Sequence, residues 1–483
     1  MDADPRHQNE LVTHTSLDLW GHSVHTASVA CIQHINSYYQ EVLAYGSNQK
    51  TIFKAVEEDC NCALAHVLSA LHSLRSSTDE ALSSIQSAKR CLLHATSYEK
   101  MALIAAEALV AAQWEAALAA YSTILDHYPK DLFSLKRAQV LCFYMGKCEE
   151  SLRLSSKVLP SNKEEAYIHG MHAFALLETR RFAEAERAAR KALMIRSTDK
   201  WAQHALCHVL QYRCLFPEVV QFMEENKDSW SNCCSFMYSH NWWHLAVSYL
   251  EWGCIHSLDK VFGIYDSHLW PAKCQDLGGS VQALLSALGL LLRLHVRGFT
   301  DWVQMRIQPV AQQVCNKSDW HKERLLDLLM IWALAYVNEY SISSDFVKQL
   351  TQRVSSLNQT KRESLKAFLK LSEGLYEYGR GNLNKVFDVL GPNFRTDQLK
   401  VIGASDEQLD IFEELWCLVA LRTGHFDEVH GVLQRRISVF RGSPFSWELM
   451  AEFYEKTGSP NEAQNAIREA ESIRKGYLQF KSQ

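Results

Sequence analysis

A recurrence of 34 residues constrains this chain more than any other feature. The segment Trp114–Pro129, WEAALAAYSTILDHYP, carries a small residue at Ala117, an aromatic at Tyr121 and a proline at Pro129. Steps of 34 from Ala117 land on Ser151 in GKCEESLRLSSKVL, Ala185 in RRFAEAERAARKAL and Val219 in LFPEVVQFMEEN. Four equivalent helices therefore stand in register. Near the C terminus Gly424 precedes Val429 by five residues and Gly458 precedes Ala463 by five, and 463 − 429 is again 34. Weaker copies occur around Ala81, where Ser77 and Glu80 have capping-box spacing, and around Val386 in GRGNLNKVFDVL. Another lies near Leu258, displaced by the stretch NKDSWSNCCSF. Between about 270 and 370 the pattern is helical and amphipathic without a clear period.

A unit of this length holds two antiparallel helices. Neither buries its apolar face alone, and stacking the units buries both. The small residue marks where two helices touch, which is the pattern of a tetratricopeptide repeat. Helix breakers are scarce: 9 prolines and 20 glycines in 483 residues are about 2% and 4%, against averages of roughly 5% and 7%. The expected fold is all-α, a tetratricopeptide-like helical repeat solenoid built as a right-handed superhelix of helix hairpins. The expected divisions are N-terminal helical repeats over 1–98, central repeats over 99–270, degenerate repeats over 271–375 and C-terminal repeats over 376–483.

Charge narrows the function. The net charge is −5 with both signs interspersed, so neither nucleic acid nor a membrane surface is an expected partner. The start, MDADPRHQNE, is polar and acidic, and the longest apolar run, Val281–Leu294, is interrupted by Gln282, Ser286 and Arg293. No lipidation motif is read at Lys481-Ser482-Gln483. Fourteen cysteines without a secretory signal and without a CxxC pair point to a cytoplasmic chain whose thiols are small buried hydrophobes.

The order HGMHAFALLETRRFAEAERAARKAL, DKWAQHALCHVLQ, HNWWHLAVSYLEWG and YDSHLW resembles the tetratricopeptide repeat protein 38 family, most specifically from Tyr167 to Trp270. That resemblance implies an all-helical repeat solenoid and no settled biochemical activity. Against the family pattern, Gln211 stands where a glutamate is expected. Ser286 replaces an acidic residue, and Gln139-Val140 replaces a His-Asp pair.

Two histidine pairs have i,i+4 spacing, His204 with His208 and His240 with His244. If each repeat's small second-helix residue is position 20, they occupy positions 5 and 9 of one first helix and 2 and 6 of the next. Those positions face the concave groove in this fold, and residues four apart share a helix face. Tyr265, Asp266 and His268 end the following second helix and are placed at an edge of the same region. Three readings compete. The first is a transition-metal site on the four histidines with Asp266, with His208 and His244 as catalytic candidates of a metal-dependent or degenerate enzyme. HExxH is absent and neighbouring carboxylates are replaced, so the sequence calls for no metal or other cofactor. The second, favoured by the sequence, is a ligand surface of Trp201, His204, His208, Gln211, His240, Asn241, His244, Tyr265, Asp266 and His268. It would take an unidentified protein, peptide or small molecule, with Trp242, Trp243, Tyr212 and Tyr238 adding aromatic area. The third is a packed core of satisfied histidines. His7, His14, His22 and His25 read as solvated or singly packed. Cys207, Cys233 and Cys234 lie near the histidines, but Cys207 faces a different helix side from His208. Oligomeric state is not legible.

Overall fold

The computed structural model describes residues 15–253, 256–270 and 280–479. His7, His14, the polar start and the terminal tripeptide lie outside them. In chain order the helices of the first part are α1 (Val29–Leu43), α2 (Thr51–Glu58), α3 (Ala63–Ser73), α4 (Thr78–Arg90), α5 (Ser97–Val110), α6 (Trp114–His127), α7 (Leu132–Tyr144), α8 (Cys148–Val158) and α9 (Ala166–Glu178). There follow α10 (Phe182–Ile195), α11 (Lys200–Tyr212), α12 (Phe216–Asn226), α13 (Ser235–Trp252), α14 (Ser257–Ile264), α15 (Val281–Val296), α16 (Thr300–Val314), α17 (Arg324–Tyr336) and α18 (Tyr340–Ser355). The last are α19 (Gln359–Ser364), α20 (Lys366–Gly379), α21 (Leu383–Leu390), α22 (Asp406–Arg422), α23 (Phe426–Val439), α24 (Pro444–Lys456) and α25 (Pro460–Gln479). Among the described residues the strands are β1 (Thr15–Leu17) and β2 (Ser23–His25), antiparallel with Ser16 opposite Val24. The chain is all-α with tetratricopeptide-like repeats.

It divides into two compact units, Met1–Cys142 with Glu149–Ala175, and Phe143–Cys148 with Leu176–Gln483. In the first, α1 packs on α2, α3 on α4, and α5 on α6. Ser77 caps α4 by accepting the Glu80 N–H at 3.2 Å, as its spacing predicts. His22 is not solvated: it is buried, pairs with Asp18 at 3.2 Å and packs on Tyr98 and Tyr128. In the second unit consecutive helices from α10 to α14 pack as neighbours, and so do those from α20 to α25.

The period is visible in the backbone itself. Hairpins turn on a left-handed residue at Ala112, Gly146, Arg180 and Cys214, with φ of 55°, 66°, 62° and 56°. Those four numbers are 34 apart. Further turns follow at Gly253, Gly298, Asn338, Gly381, Gly424 and Gly458. At Ala112, Arg180, Cys214 and Gly424 the next N–H reaches back to a carbonyl five residues earlier, for example Gln113 to Ala108 at 2.9 Å, which satisfies the end of the first helix. Five residues beyond the turn comes the small contact residue, and Ala117, Ser151, Ala185, Val219, Val429 and Ala463 are all buried. Val303 and Ser343 hold the same place in the stretch without a clear sequence period. Leu258 holds it only half-buried, and Ser257 and Val261 carry the contact there instead.

One contact of the second unit lies outside this stacking order. Helix α15 packs against α22 through buried charge. Arg297 donates to Glu414 at 2.6 Å and also to Glu251. Arg436 donates to Asp410 at 2.6 Å. Burial alone would raise the Asp410 carboxyl, but Arg436, Arg293 and Arg297 hold it down to about 2. No described helix is long and apolar enough to cross a membrane.

Two expectations follow. Ala112 is exposed and left-handed, so Ala112→Gly removes the Cβ penalty and raises unfolding free energy by about 1 kcal/mol in urea denaturation. Asp327 is buried in α17, and burial pushes its carboxyl from 3.8 to about 7. Its folded form therefore keeps a proton that the unfolded chain has lost. The stability this group contributes is full below pH 4 and declines as pH rises through 7. Asp327→Asn, which keeps the acceptor for the His321 N–H (2.8 Å), raises the melting temperature more at pH 8 than at pH 5.

Candidate functional site

Helix α11 starts at Asp199, whose carboxylate accepts the Trp201 and Ala202 N–H groups at 3.0 and 3.1 Å. That start fixes which face His204 and His208 share. Helix α13 runs beside α11 and presents His240 and His244 from its own four-residue step. The spacing predicts four rings in one place, and the structure brings them together. Ring centroids are 4.4 Å apart for His204 and His208, 4.6 Å for His240 and His244, and 4.3 Å for His208 and His244 across the two helices.

The nitrogens converge more tightly than the rings. His208 Nε2 is 2.9 Å from His204 Nε2, and His244 Nε2 is 3.2 Å from His240 Nε2. One ligand atom from each of the four lies within 4.8 Å of all the others. Behind this centre stand hydrogen-bond partners. His208 Nδ1 meets the Glu407 carboxylate at 2.8 Å. His244 Nδ1 meets Gln211 Oε1 at 2.8 Å, and the Gln211 amide is held by donating to the His244 carbonyl (3.1 Å) and Ser248 Oγ (2.7 Å). Glu407 and Gln211 Oε1 only accept, so His208 and His244 donate from Nδ1 and turn their Nε2 lone pairs inward. Asn241, next to His240 on α13, is wholly buried, and its side-chain amide makes no hydrogen bond among the described residues.

All four rings are buried, so the expectation that they line an open concave groove is corrected. The N-terminal end of α22 lies over them, and the aromatics pack around them. Trp201 stacks on His204 at 4.9 Å, and Trp243 lies parallel to His240 at 5.6 Å. Burial, with the neighbouring rings, pushes His204 and His244 well below the usual imidazole range and His240 down to about 3. These three are neutral near pH 7. Burial raises the Glu407 carboxyl, but its contact with His208 outweighs burial and holds it low, so Glu407 is an anion.

The edge residues do not join the cluster. Asp266 is half exposed and bonds Arg306 through both oxygens at 2.8 Å. Tyr265 is buried against Trp302. His268 stacks on Trp242 at 3.6 Å and bonds the Tyr238 hydroxyl at 2.8 Å. Burial pushes the Cys207 thiol well up and the Cys233 thiol to about 12, so neither supplies a thiolate.

Sequence reasoning missed Glu407. The missing-carboxylate argument looked beside the histidines, at Gln211 and Ser286, whereas the acid arrives from α22. Its local signal is legible, since Ser405 and Gln408 form a capping box and Asp406 and Glu407 fill the first turn. Nothing in that signal says which helix the turn faces. Two clefts flank the site. One is lined by Gln211, Tyr212, Asp406, Glu407, Asp410 and Phe440, among others, and has a cavity volume of about 60 Å³. The other, with a cavity volume of about 20 Å³, has His240, Trp243, Ser286, Arg293 and Gln408 in its wall.

No family model matches the chain. Among solved structures, a human IFIT1 dimer with m7Gppp-AAAA is similar at 14% identity and TM-score 0.43, over 85% of this chain and 90% of that one. A tetratricopeptide repeat protein from Parabacteroides merdae is similar at 12% identity and TM-score 0.29, over 67% and 98%. Likeness at this level does not extend to a ligand or a partner.

Proposed function

We propose that this is a helical-repeat protein whose second unit holds one divalent transition-metal ion on His204, His208, His240 and His244. The convergence of one ring nitrogen from each of the four histidines within 4.8 Å carries the reading. Two ligands at about 2.0–2.1 Å from a common ion stand roughly 2.9–3.4 Å apart, depending on geometry. The spacings of 2.9 and 3.2 Å fall in that range. Neutral imidazoles are the ligating form, so the burial that keeps three rings uncharged also favours a metal. Glu407 and Gln211 orient His208 and His244 from behind, as carboxylates and amides do around bound metals. An all-imidazole set without thiolate suits zinc, copper or nickel.

Four protein ligands fill a tetrahedral shell, which favours an organising ion over one that activates water. The ion's chemistry is to tie α11 to α13. Glu407 then carries that tie to α22. Binding of a partner through groove-facing histidines has less support, because the rings are buried. The resemblance to the tetratricopeptide repeat protein 38 family fits the order of the helices but supplies no ligand.

Tag-free protein purified without chelator should carry close to one equivalent of metal by mass spectrometry. His240→Ala/His244→Ala should reduce it to background while helical circular dichroism persists. A wild-type chain that holds no metal, and whose melting temperature ignores added zinc, sinks the proposal. Glu407→Gln keeps an acceptor for His208 and lowers metal affinity about tenfold; Glu407→Ala lowers it up to about 100-fold in competition with a fluorescent chelator.

A further inference from the structure

In the first unit, α1, α3, α7 and the start of α2 bring basic side chains together around Tyr38. Tyr38 is wholly buried. Its hydroxyl accepts from Arg137 Nη2 at 3.4 Å, and its ring stands 6.0 Å from the His72 ring. His72 also meets Phe53 edge-on at 5.2 Å. Lys50 and Arg75 complete the group. Burial, with the charges of Arg75, Arg137 and Lys50, pushes the His72 imidazole down to about 4, so the ring is neutral near pH 7. Three cations thus act on one uncharged ring.

Among the described residues neither guanidinium pairs with a carboxylate. Besides Tyr38, Arg137 meets only the face of the Phe133 ring, at 5.0 Å, and Arg75 Nη1 donates to Gln49 Oε1 at 2.9 Å. Asp131 acts on the neighbouring Tyr121, but its oxygens take the Ser134 N–H and hydroxyl at 2.9 and 2.6 Å and the Tyr98 hydroxyl at 3.0 Å. Three buried polar atoms of the group have no hydrogen-bond partner: Arg137 Nε, His72 Nδ1 and Tyr121 Oη. The first is a donor and the other two can donate. Buried donors left unmet cost free energy that an acceptor recovers. Arg137 and His72 are half-buried while Arg75 and Lys50 are exposed, so the group opens to solvent and needs no enclosed cavity.

We infer that this group binds a small phosphate dianion, inorganic phosphate or a phosphomonoester, with its oxygens on Arg137, His72 and Arg75 and with Lys50 alongside. A guanidinium offers paired donors that match phosphate oxygens. A dianion answers more of the positive charge than a single carboxylate does, and an ammonium-bearing ligand is repelled by it. Every residue of the group lies in the first unit, so the assignment stands whether or not the histidines of the second hold a metal.

Isothermal titration of the full chain near neutral pH with inorganic phosphate, glycerol 3-phosphate and acetate tests this. The protein is stripped with chelator first, so that no metal takes up the anion. Saturable binding of one phosphate group per chain is expected, with acetate at least about tenfold weaker. The tighter of the two phosphates names the source. Arg75→Ala, at an exposed position, should weaken binding about tenfold with an unchanged melt. Arg137→Lys, which keeps the charge but loses Nε and the paired donors, should weaken it severalfold. If Arg137→Lys does not fold, Arg75→Ala alone carries the decision. The His72 Cε1–H signal in nuclear magnetic resonance, assigned by its loss in His72→Gln, should move along the same saturation curve. Absence of saturable phosphate binding, acetate as tight as phosphate, binding unchanged in Arg75→Ala, or a His72 signal that ignores bound phosphate overturns the inference.

Discussion

The buried guanidinium of Arg297, held between Glu251 and Glu414, is the tie on which the rest of the second unit depends. It joins the end of α13, the end of α15 and the middle of α22. Buried ion pairs add little net stability over apolar packing, but removing one partner costs about 3–5 kcal/mol because a charge is stranded. Such a tie therefore fixes position more than it adds strength. Here the position matters twice. With Glu414 held by Arg297, α22 presents Glu407, about two turns upstream, to His208. It presents Gln408, from the adjoining residue, to the cleft beside His240.

The histidine centre is a polar island inside an apolar stack. Buried polar groups are costly unless each finds a partner, and a partly satisfied set is worse than none. The four rings meet this by facing one another inward, with the Glu407 carboxylate behind His208 and the Gln211 amide behind His244. The same arrangement serves a metal and a hydrogen-bonded core, because both need an acceptor behind the ring and a lone pair ahead of it. The number of lone pairs aimed at one point separates the two readings. Two rings donating from Nδ1 leave two such lone pairs fixed before any ion arrives.

Much of the repeat architecture was legible in the residues. A helix contact tolerates only small or compact side chains, so Ala117, Ser151, Ala185 and Val219 mark the period directly. The two histidine pairs were legible for the same reason, since four residues always share a face. The middle of the chain was not. There the turn residues are 39, 45, 40, 43 and 43 apart, as the differences from Cys214 through Gly253, Gly298, Asn338, Gly381 and Gly424 show. A search in steps of 34 walks out of register with them. Nor was the contact of α15 with α22 legible. Nearest-neighbour stacking is encoded within each repeat, whereas this contact joins helices that are not successive. The open groove was expected because the stack was read without it, and Glu407 was missed for the same cause.

The distance in sequence between His208 and Glu407 is 407 − 208, or 199 residues. Helix hairpins form from local contacts as the chain leaves the ribosome, but this pairing must wait for nearly half the protein to be made. During that interval His204, His208, His240 and His244 are already within reach of one another, and their acid is not yet synthesised. The nascent chain thus passes through a stage in which the imidazoles are gathered and uncovered, before α22 arrives to close over them. For the proposed metal centre, that stage of translation is a natural window for loading.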